Sequence, residues 1–305
     1  MAELYDVVII GGGPAGLVAG LYASRSRLKA ILLERGLFGG QIVNAPKVDN
    51  FPGFSHGISG MELGELMRHQ ATAFGLETRL ADVTGVNVEA EIKEVLTDHG
   101  SFQGRALIIA SGSEHRKLSV PGEERLLGRG VSYCATCDAP FIQGREVVVV
   151  GGGDTALTEA LYLARFASRV RVVHRRRELR AAALLQEKAF AEPRLSFVWD
   201  SVVEEVLGED EVNGLRLRDV KTGGSSRLEV KGVFVAIGLE PNAAFLKGKL
   251  QLTPTGHIPI GSRMETAIPG VFAAGDVRQD SARQAVTAAG DGAAAALAAL
   301  AYLRA

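Results

Sequence analysis

Asp6-Val7-Val8-Ile9-Ile10-Gly11-Gly12-Gly13-Pro14-Ala15-Gly16 is the stretch that decides the fold. Its unbroken apolar run reads as a strand buried on both faces, because a half-exposed strand would alternate. The glycines permit a tight turn, and Pro14 suits the first position of a helix whose apolar pattern continues through Leu17, Leu21 and Tyr22. Ala30-Ile31-Leu32-Leu33 is the next buried strand and ends in Glu34, closing a βαβ unit with an acid at the tip of its second strand. The arrangement returns later: Glu146-Val147-Val148-Val149-Val150 leads into Gly151-Gly152-Gly153-Asp154-Thr155-Ala156, a helix through Leu163 and the strand Val170-Arg171-Val172-Val173. Gly11 to Glu34 and Gly151 to His174 both span 23 positions, so Glu34 and His174 are equivalent in register. The first unit places a carboxylate there and the second places His174-Arg175-Arg176-Arg177, which predicts two different nucleotides.

Three further apolar strand ends, Leu107-Ile108-Ile109-Ala110-Ser111-Gly112, Phe234-Val235-Ala236-Ile237-Gly238 and Val271-Phe272-Ala273-Ala274-Gly275-Asp276, suggest that one unit is inserted into the other. The expected fold is α/β, with two Rossmann-like three-layer nucleotide-binding domains. Residues 1–114 and 241–305 would form the first and residues 115–240 the second, with paired hinges at 113–117 and 239–243. A chain of 305 residues has room for two cores. Hydrophobic residues at 47% and charged residues at 23% exclude a disordered or fibrous chain. Lys and Arg number 34 against 35 Asp and Glu, so no basic excess favours nucleic acid or an anionic membrane as a partner. The N-terminus lacks the cationic start and small-residue cleavage site of a secretory signal, which makes the cytoplasm the expected location. The most apolar stretch, 292–303, is Ala-rich and too short to span a bilayer, so it is expected as a packed core helix.

Gly11, Gly13 and Gly16 between strand and helix suit the close approach of a pyrophosphate, and Glu34 can accept both ribose hydroxyls. In the second turn Ala156 stands at the third glycine position and still permits close packing. No acid follows. Arg175, Arg176 and Arg180 stand where a 2′-phosphate would sit, which favours NADPH over NADH, while Arg177 reads as a solvated charge. Cys134-Ala135-Thr136-Cys137 holds both cysteines of the chain. A zinc site would need two further donors, and neither a second CxxC nor clustered histidines exist, so a redox dithiol at a helix start is the expectation. The helix N-terminus would stabilise a thiolate there. Asp138 next to it has two readings, a proton donor or a helix cap.

Taken together these motifs resemble the low-molecular-weight, bacterial-type thioredoxin reductases over nearly the whole chain. The resemblance also rests on Gly39-Gly40-Gln41, Asn50-Phe51-Pro52-Gly53, Gly275-Asp276 and Arg283-Gln284-Ala285. It implies FAD held by Gly11, Gly13, Pro14, Ala15, Gly16, Glu34, Gly39, Gly40, Gln41, Asn50, Val83 and Gly112, with Gly275, Asp276, Arg283, Gln284 and Ala285 near the isoalloxazine. It implies NADPH held by Gly151, Gly153, Asp154, Thr155, Ala156, His174, Arg175, Arg176 and Arg180. Cys137 would lie next to the flavin, Cys134 would attack the disulfide of thioredoxin, and Asp138 would be the acid. The expected protein is a homodimeric, NADPH-dependent disulfide reductase. Two rivals remain open from sequence: a reductase fed by ferredoxin with a vestigial second nucleotide site, and a flavin-binding redox sensor without turnover.

Overall fold

The computed structural model describes residues 3–45 and 47–305. The chain divides into two compact units, Met1–Glu114 with Glu240–Ala305 and, between them in sequence, His115–Leu239. The expected insert of 115–240 differs by one residue.

In the first unit, β1 (Leu4–Ile10), β2 (Ala30–Glu34), β3 (Glu77–Leu80), β4 (Val83–Asn87), β5 (Lys93–Thr97) and β6 (Gly100–Ile109) form a sheet ordered β3-β2-β1-β6-β5-β4. The parallel part is β3-β2-β1-β6, and β17 (Val271–Ala273) pairs with the C-terminal half of β6, Leu107 opposite Val271. The run that opens β1 is wholly apolar because each face has its own core. Val7 and Ile9 pack with Leu32 and Ile108 under the helices α1 (Pro14–Arg25) and α6 (Ala285–Arg304). Val8 and Ile10 point the other way, onto Ile31, Leu107, Val86, Leu246 and Ile258. A third helix, α2 (Gly60–Ala73), is capped by Ser59, whose hydroxyl accepts the Glu62 N–H.

The structure corrects the reading of the C-terminal apolar stretch. The helix is not confined to 292–303; α6 has 20 residues and contains an 18-residue window of mean hydropathy 1.4, which by length and composition alone is enough to cross a membrane. Its packing gives it another role. Gly292 meets α1 so closely that a Cβ there would lie 2.0 Å from the Ala15 carbonyl oxygen, and Ala295, Ala296 and Ala299 are buried beside it. Small residues let the two helices approach, and the Ala-rich composition on this side of α6 reflects that contact.

The inserted unit has three layers. A parallel sheet ordered β11-β10-β9-β15-β8 is built from β8 (Val131–Ser132), β9 (Glu146–Val150), β10 (Arg169–Val173), β11 (Leu195–Val198) and β15 (Gly232–Val235). One face carries α4 (Asp154–Leu163) and α5 (Ala183–Ala191), with Leu157, Ala160 and Leu163 packed on Val147, Val149 and Val172. The other face is covered by an antiparallel sheet of β12 (Ser201–Leu207), β13 (Gly214–Asp219) and β14 (Ser225–Leu228), whose Val203, Val206, Leu215 and Leu217 meet Val148, Val150 and Val233. The two places where the chain passes between the units, β7 (Ser113–His115) and β16 (Leu239–Pro241), pair with each other as a two-stranded sheet.

Candidate functional site

The first glycine turn leaves β1 at Gly11, whose φ of +104° is open to glycine and costly for other residues. Gly16 is required for a different reason: a Cβ there would fall 1.8 Å from the Gly11 carbonyl oxygen. Gly13 caps α1 without a side-chain bond and Pro14 follows at its first position, so the first-turn N–H groups are left for an anion. At the end of β2, Glu34 accepts the Gly12 N–H at 2.6 Å and the Gly36 N–H at 2.8 Å. Each oxygen keeps a lone pair, which is what two ribose hydroxyls need. Gly39 and Gly40, at φ +114° and +59°, bring a second turn onto the first, where a Cβ on Gly40 would lie 3.0 Å from the Gly13 Cα. Gln41 is exposed in the short helical turn that follows. Val83, half-buried, opens β4, and Gly112, at φ +68°, follows β6. A carboxylate oriented by backbone donors, an uncapped helix start and two interlocked glycine turns fit the adenosine and pyrophosphate parts of FAD.

Gly275-Asp276 follows β17 in a short helical turn. Asp276 Oδ1 accepts the Ser281 hydroxyl at 2.7 Å, and its carbonyl accepts the Ser113 hydroxyl at 2.6 Å. Asn50 Nδ2 donates to Gln284 Oε1 at 3.2 Å, which joins two predicted residues far apart in sequence. Gln284 caps α6, Ala285 opens it, and Arg283 is exposed at φ +57°. Sequence reasoning missed what holds this turn. The buried carboxylate of Asp291 takes the Gly275 N–H at 3.1 Å and, bidentately, Nε and Nη2 of Arg278 at 2.6 and 3.1 Å. The signal was present: Asp291 is the one acid in an otherwise apolar α6, and a core-facing acid needs a partner. Asp291→Ala leaves the largely buried Arg278 guanidinium without its carboxylate, with only the Gln279 carbonyl remaining to it, and an expected loss of about 3 kcal/mol in urea unfolding follows, together with weaker FAD retention on gel filtration.

The dithiol lies at α3 (Ala135–Asp138), a single turn with Cys134 as its N-cap. Cys134 and Cys137 are joined as a disulfide. Their surroundings are asymmetric. Cys134 Sγ accepts the Cys137 N–H at 3.2 Å and lies 3.4 Å from the Thr136 hydroxyl, and the Cys134 N–H is held by Ser132 Oγ at 3.0 Å. A thiolate released at Cys134 is therefore the better stabilised of the two. Asp138, half-buried, closes the same turn. Tyr133, the residue before Cys134, donates its hydroxyl to Glu123 at 2.7 Å and stacks on His115. The Glu123 carboxylate, almost fully buried, also takes the Leu118 and Ser119 N–H groups, both at 2.8 Å. Burial, and then the Glu123 bond, push the Tyr133 hydroxyl above its ordinary range, so it stays a donor.

The second glycine turn leaves β9 at Gly151, φ +155°, where a Cβ would lie 2.4 Å from the Ala236 carbonyl oxygen and 2.8 Å from the Ala156 methyl. Gly153 caps α4 without a side-chain bond. Asp154 opens that helix and accepts the Ala182 N–H at 2.7 Å, Thr155 is exposed and Ala156 is buried. Arg175, Arg176 and Arg180 are exposed and form no ion pair among the described residues. Arg177, read from sequence as merely solvated, is paired with Asp200 at 2.7 Å, and Lys221 joins the same carboxylate at 2.8 Å. His174 turns inward and is buried.

A profile of the family described as pyridine nucleotide-disulphide oxidoreductase matches residues 5–292. A thioredoxin reductase of Streptomyces coelicolor is 48% identical over 308 residues, covering 100% of this chain and 96% of that protein. Another, from Listeria monocytogenes, is 48% identical over 293 residues, covering 95% and 91%. The crystal structure of thioredoxin reductase from Streptococcus pyogenes superposes with a TM-score of 0.95 at 43% identity, covering 100% of this chain and 99% of that one.

Proposed function

From the premise that the chain belongs to the thioredoxin reductases of the pyridine nucleotide-disulphide oxidoreductase family, we propose that it passes electrons from NADPH through FAD and the Cys134–Cys137 pair to oxidised thioredoxin. The observation that carries the reading is the disulfide across the start of α3 in a chain that also holds two separate nucleotide turns.

Bound FAD supplies a two-electron relay between a nicotinamide hydride donor and a disulfide. Gly11, Gly13, Pro14, Ala15 and Gly16 with the start of α1 take its pyrophosphate, Glu34 its ribose, and Gly39, Gly40, Gln41, Val83 and Gly112 line the path. Asn50, Gly275, Asp276, Arg283, Gln284 and Ala285 stand at the isoalloxazine end. In the inserted unit Gly151, Gly153, Asp154, Thr155 and Ala156 take the NADPH pyrophosphate and Arg175, Arg176 and Arg180 its 2′-phosphate. The Cys134 thiolate attacks one sulfur of the thioredoxin disulfide, forms a mixed disulfide and releases a thioredoxin thiolate. Cys137 then attacks Cys134 Sγ, restores the Cys134–Cys137 disulfide and releases the second thioredoxin thiolate. Two electrons have moved to thioredoxin, and Asp138, at the end of the same turn, supplies a proton. The dithiol and the second glycine turn share the inserted unit, so serving one flavin in turn requires that unit to pivot on its two crossings. On the same reading the working form is a cytoplasmic homodimer.

Anaerobic titration of the FAD-loaded protein, followed by turnover with thioredoxin, is the test. NADPH is expected to bleach the flavin within the mixing time and NADH far more slowly. Bleaching by reduced ferredoxin but not by NADPH would replace the electron donor, and bleaching without thioredoxin turnover would leave a redox sensor.

A further inference from the structure

The imidazole of His174 occupies the place a side chain on Gly152 would take: a Cβ built on Gly152 lies 2.4 Å from ring atoms Cε1 and Nδ1. The residue is 7% exposed, and Nε2 lies 3.1 Å from the Glu178 carbonyl oxygen. A carbonyl only accepts, so Nε2 carries the proton of that bond. The Arg180 N–H returns to the Gly152 carbonyl at 2.8 Å, and the Ala182 N–H reaches Asp154 Oδ1 at 2.7 Å. Trp199 meets the imidazole edge-on, with ring centroids 6.5 Å apart. The segment 174–182 is thus fastened to the second glycine turn at three points, and Arg175, Arg176 and Arg180 project from it.

We infer that His174 is a positioning residue, which sets the spacing between the second glycine turn and the arginines that take the 2′-phosphate, and is not itself a phosphate ligand. The inference rests on the assignment of Arg175, Arg176 and Arg180 to that phosphate. An imidazolium facing the phosphate would need a free N–H directed outward, whereas the proton of Nε2 is given to the Glu178 carbonyl and Nδ1 lies against Gly152. The charged groups that act on the ring are Arg180, Arg175 and Arg176, all on its own loop. Burial first, and the arginines after it, hold the imidazole below its ordinary value, so it is neutral near pH 7.

The holoenzyme is titrated calorimetrically with adenosine 2′,5′-bisphosphate and with adenosine 5′-monophosphate, which differ only in the 2′-phosphate, and the ratio of the two affinities is the readout. The native protein is expected to prefer the bisphosphate. His174→Ala should lower that preference by about tenfold with kcat at saturating NADPH little changed, and His174→Phe, which keeps the ring volume but drops the Glu178 bond, should fall between. Gly152→Ala places a methyl where the ring lies and should cost preference too, and the loss in the double variant should not exceed the larger single loss. Between about pH 7 and 9, where the 2′-phosphate is fully ionised, native affinity for the bisphosphate should show no decline that His174→Ala abolishes. Such a decline would make the ring an ionic ligand and overturn the inference. Full preference retained in His174→Ala, or strictly additive losses in the double variant, would overturn it as well, while the arginine assignment stands. A native protein that does not distinguish the two probes would overturn the arginine assignment and the inference with it.

Discussion

Cys134→Ser and Cys137→Ser each reduce thioredoxin turnover by about a thousandfold or more, while the protein keeps its FAD. Serine cannot form the sulfur–sulfur bond on which exchange depends, and loss of a covalent nucleophile leaves only binding and orientation. The two variants differ in a second measurement. Cys134 carries the stabilising contacts, the Cys137 N–H at 3.2 Å and the Thr136 hydroxyl at 3.4 Å, so its sulfur should be the better thiolate. Challenged with a thioredoxin activated as a mixed disulfide, Cys137→Ser is therefore expected to form a covalent adduct visible on a non-reducing gel, and Cys134→Ser is not. The reverse pattern would exchange the two roles. The N–H donated to Cys134 comes from the backbone of residue 137 and survives in Cys137→Ser, so loss of the contact cannot mimic that result.

The second large effect concerns the nucleotide. Replacing Arg175, Arg176 and Arg180 together by Ala removes the three cations proposed to hold the 2′-phosphate, and preference for NADPH over NADH in kcat/KM is expected to fall by about a hundredfold or more. Use of NADH should change little, since the turn proposed for the pyrophosphate, Gly151, Gly153 and the start of α4, is left intact. The three are exposed and form no ion pair among the described residues, so their removal breaks no internal bond and the protein should stay folded. A triple variant with its preference intact would place the phosphate elsewhere. Arg177→Ala is the control: it leaves Asp200 with Lys221 alone and should leave coenzyme choice largely unaltered.

Both parallel sheets were legible because strands buried on two faces write themselves as runs of Val, Ile and Leu, and both turns because glycine is the one residue that fits the close approaches at Gly11, Gly16 and Gly151. The antiparallel sheet over the inserted unit was not read: Leu215 and Leu217 alternate with Arg216 and Arg218, but β12 breaks the alternation at Val202-Val203-Glu204-Glu205, and the face they cover exists only with the sheet beneath. Equivalence of register put Glu34 and His174 in the same place and was silent on direction. Glu34 is turned toward the Gly12 N–H; His174 is drawn under Gly152 because that residue has no Cβ. Asp291 stood out as the one acid of α6, whereas nothing in residue type says that Glu123, among many acids, is the one buried against Tyr133.

The pairing of β7 with β16 bears on the order in which the chain assembles. Leu107 in β6 must find Val271 in β17 across most of the chain, and closing so long a loop costs entropy that grows with its length. An insert already folded, with its two ends side by side, removes its own residues from that loop and leaves about 40 free positions, a saving of about 1 kcal/mol. The discontinuous unit then has a reason to wait: its last strand docks most readily after the segment interrupting it has become a compact bracket. The strand pair proposed above as a pivot is, on this account, first a splice that makes one contiguous domain out of two distant pieces of sequence.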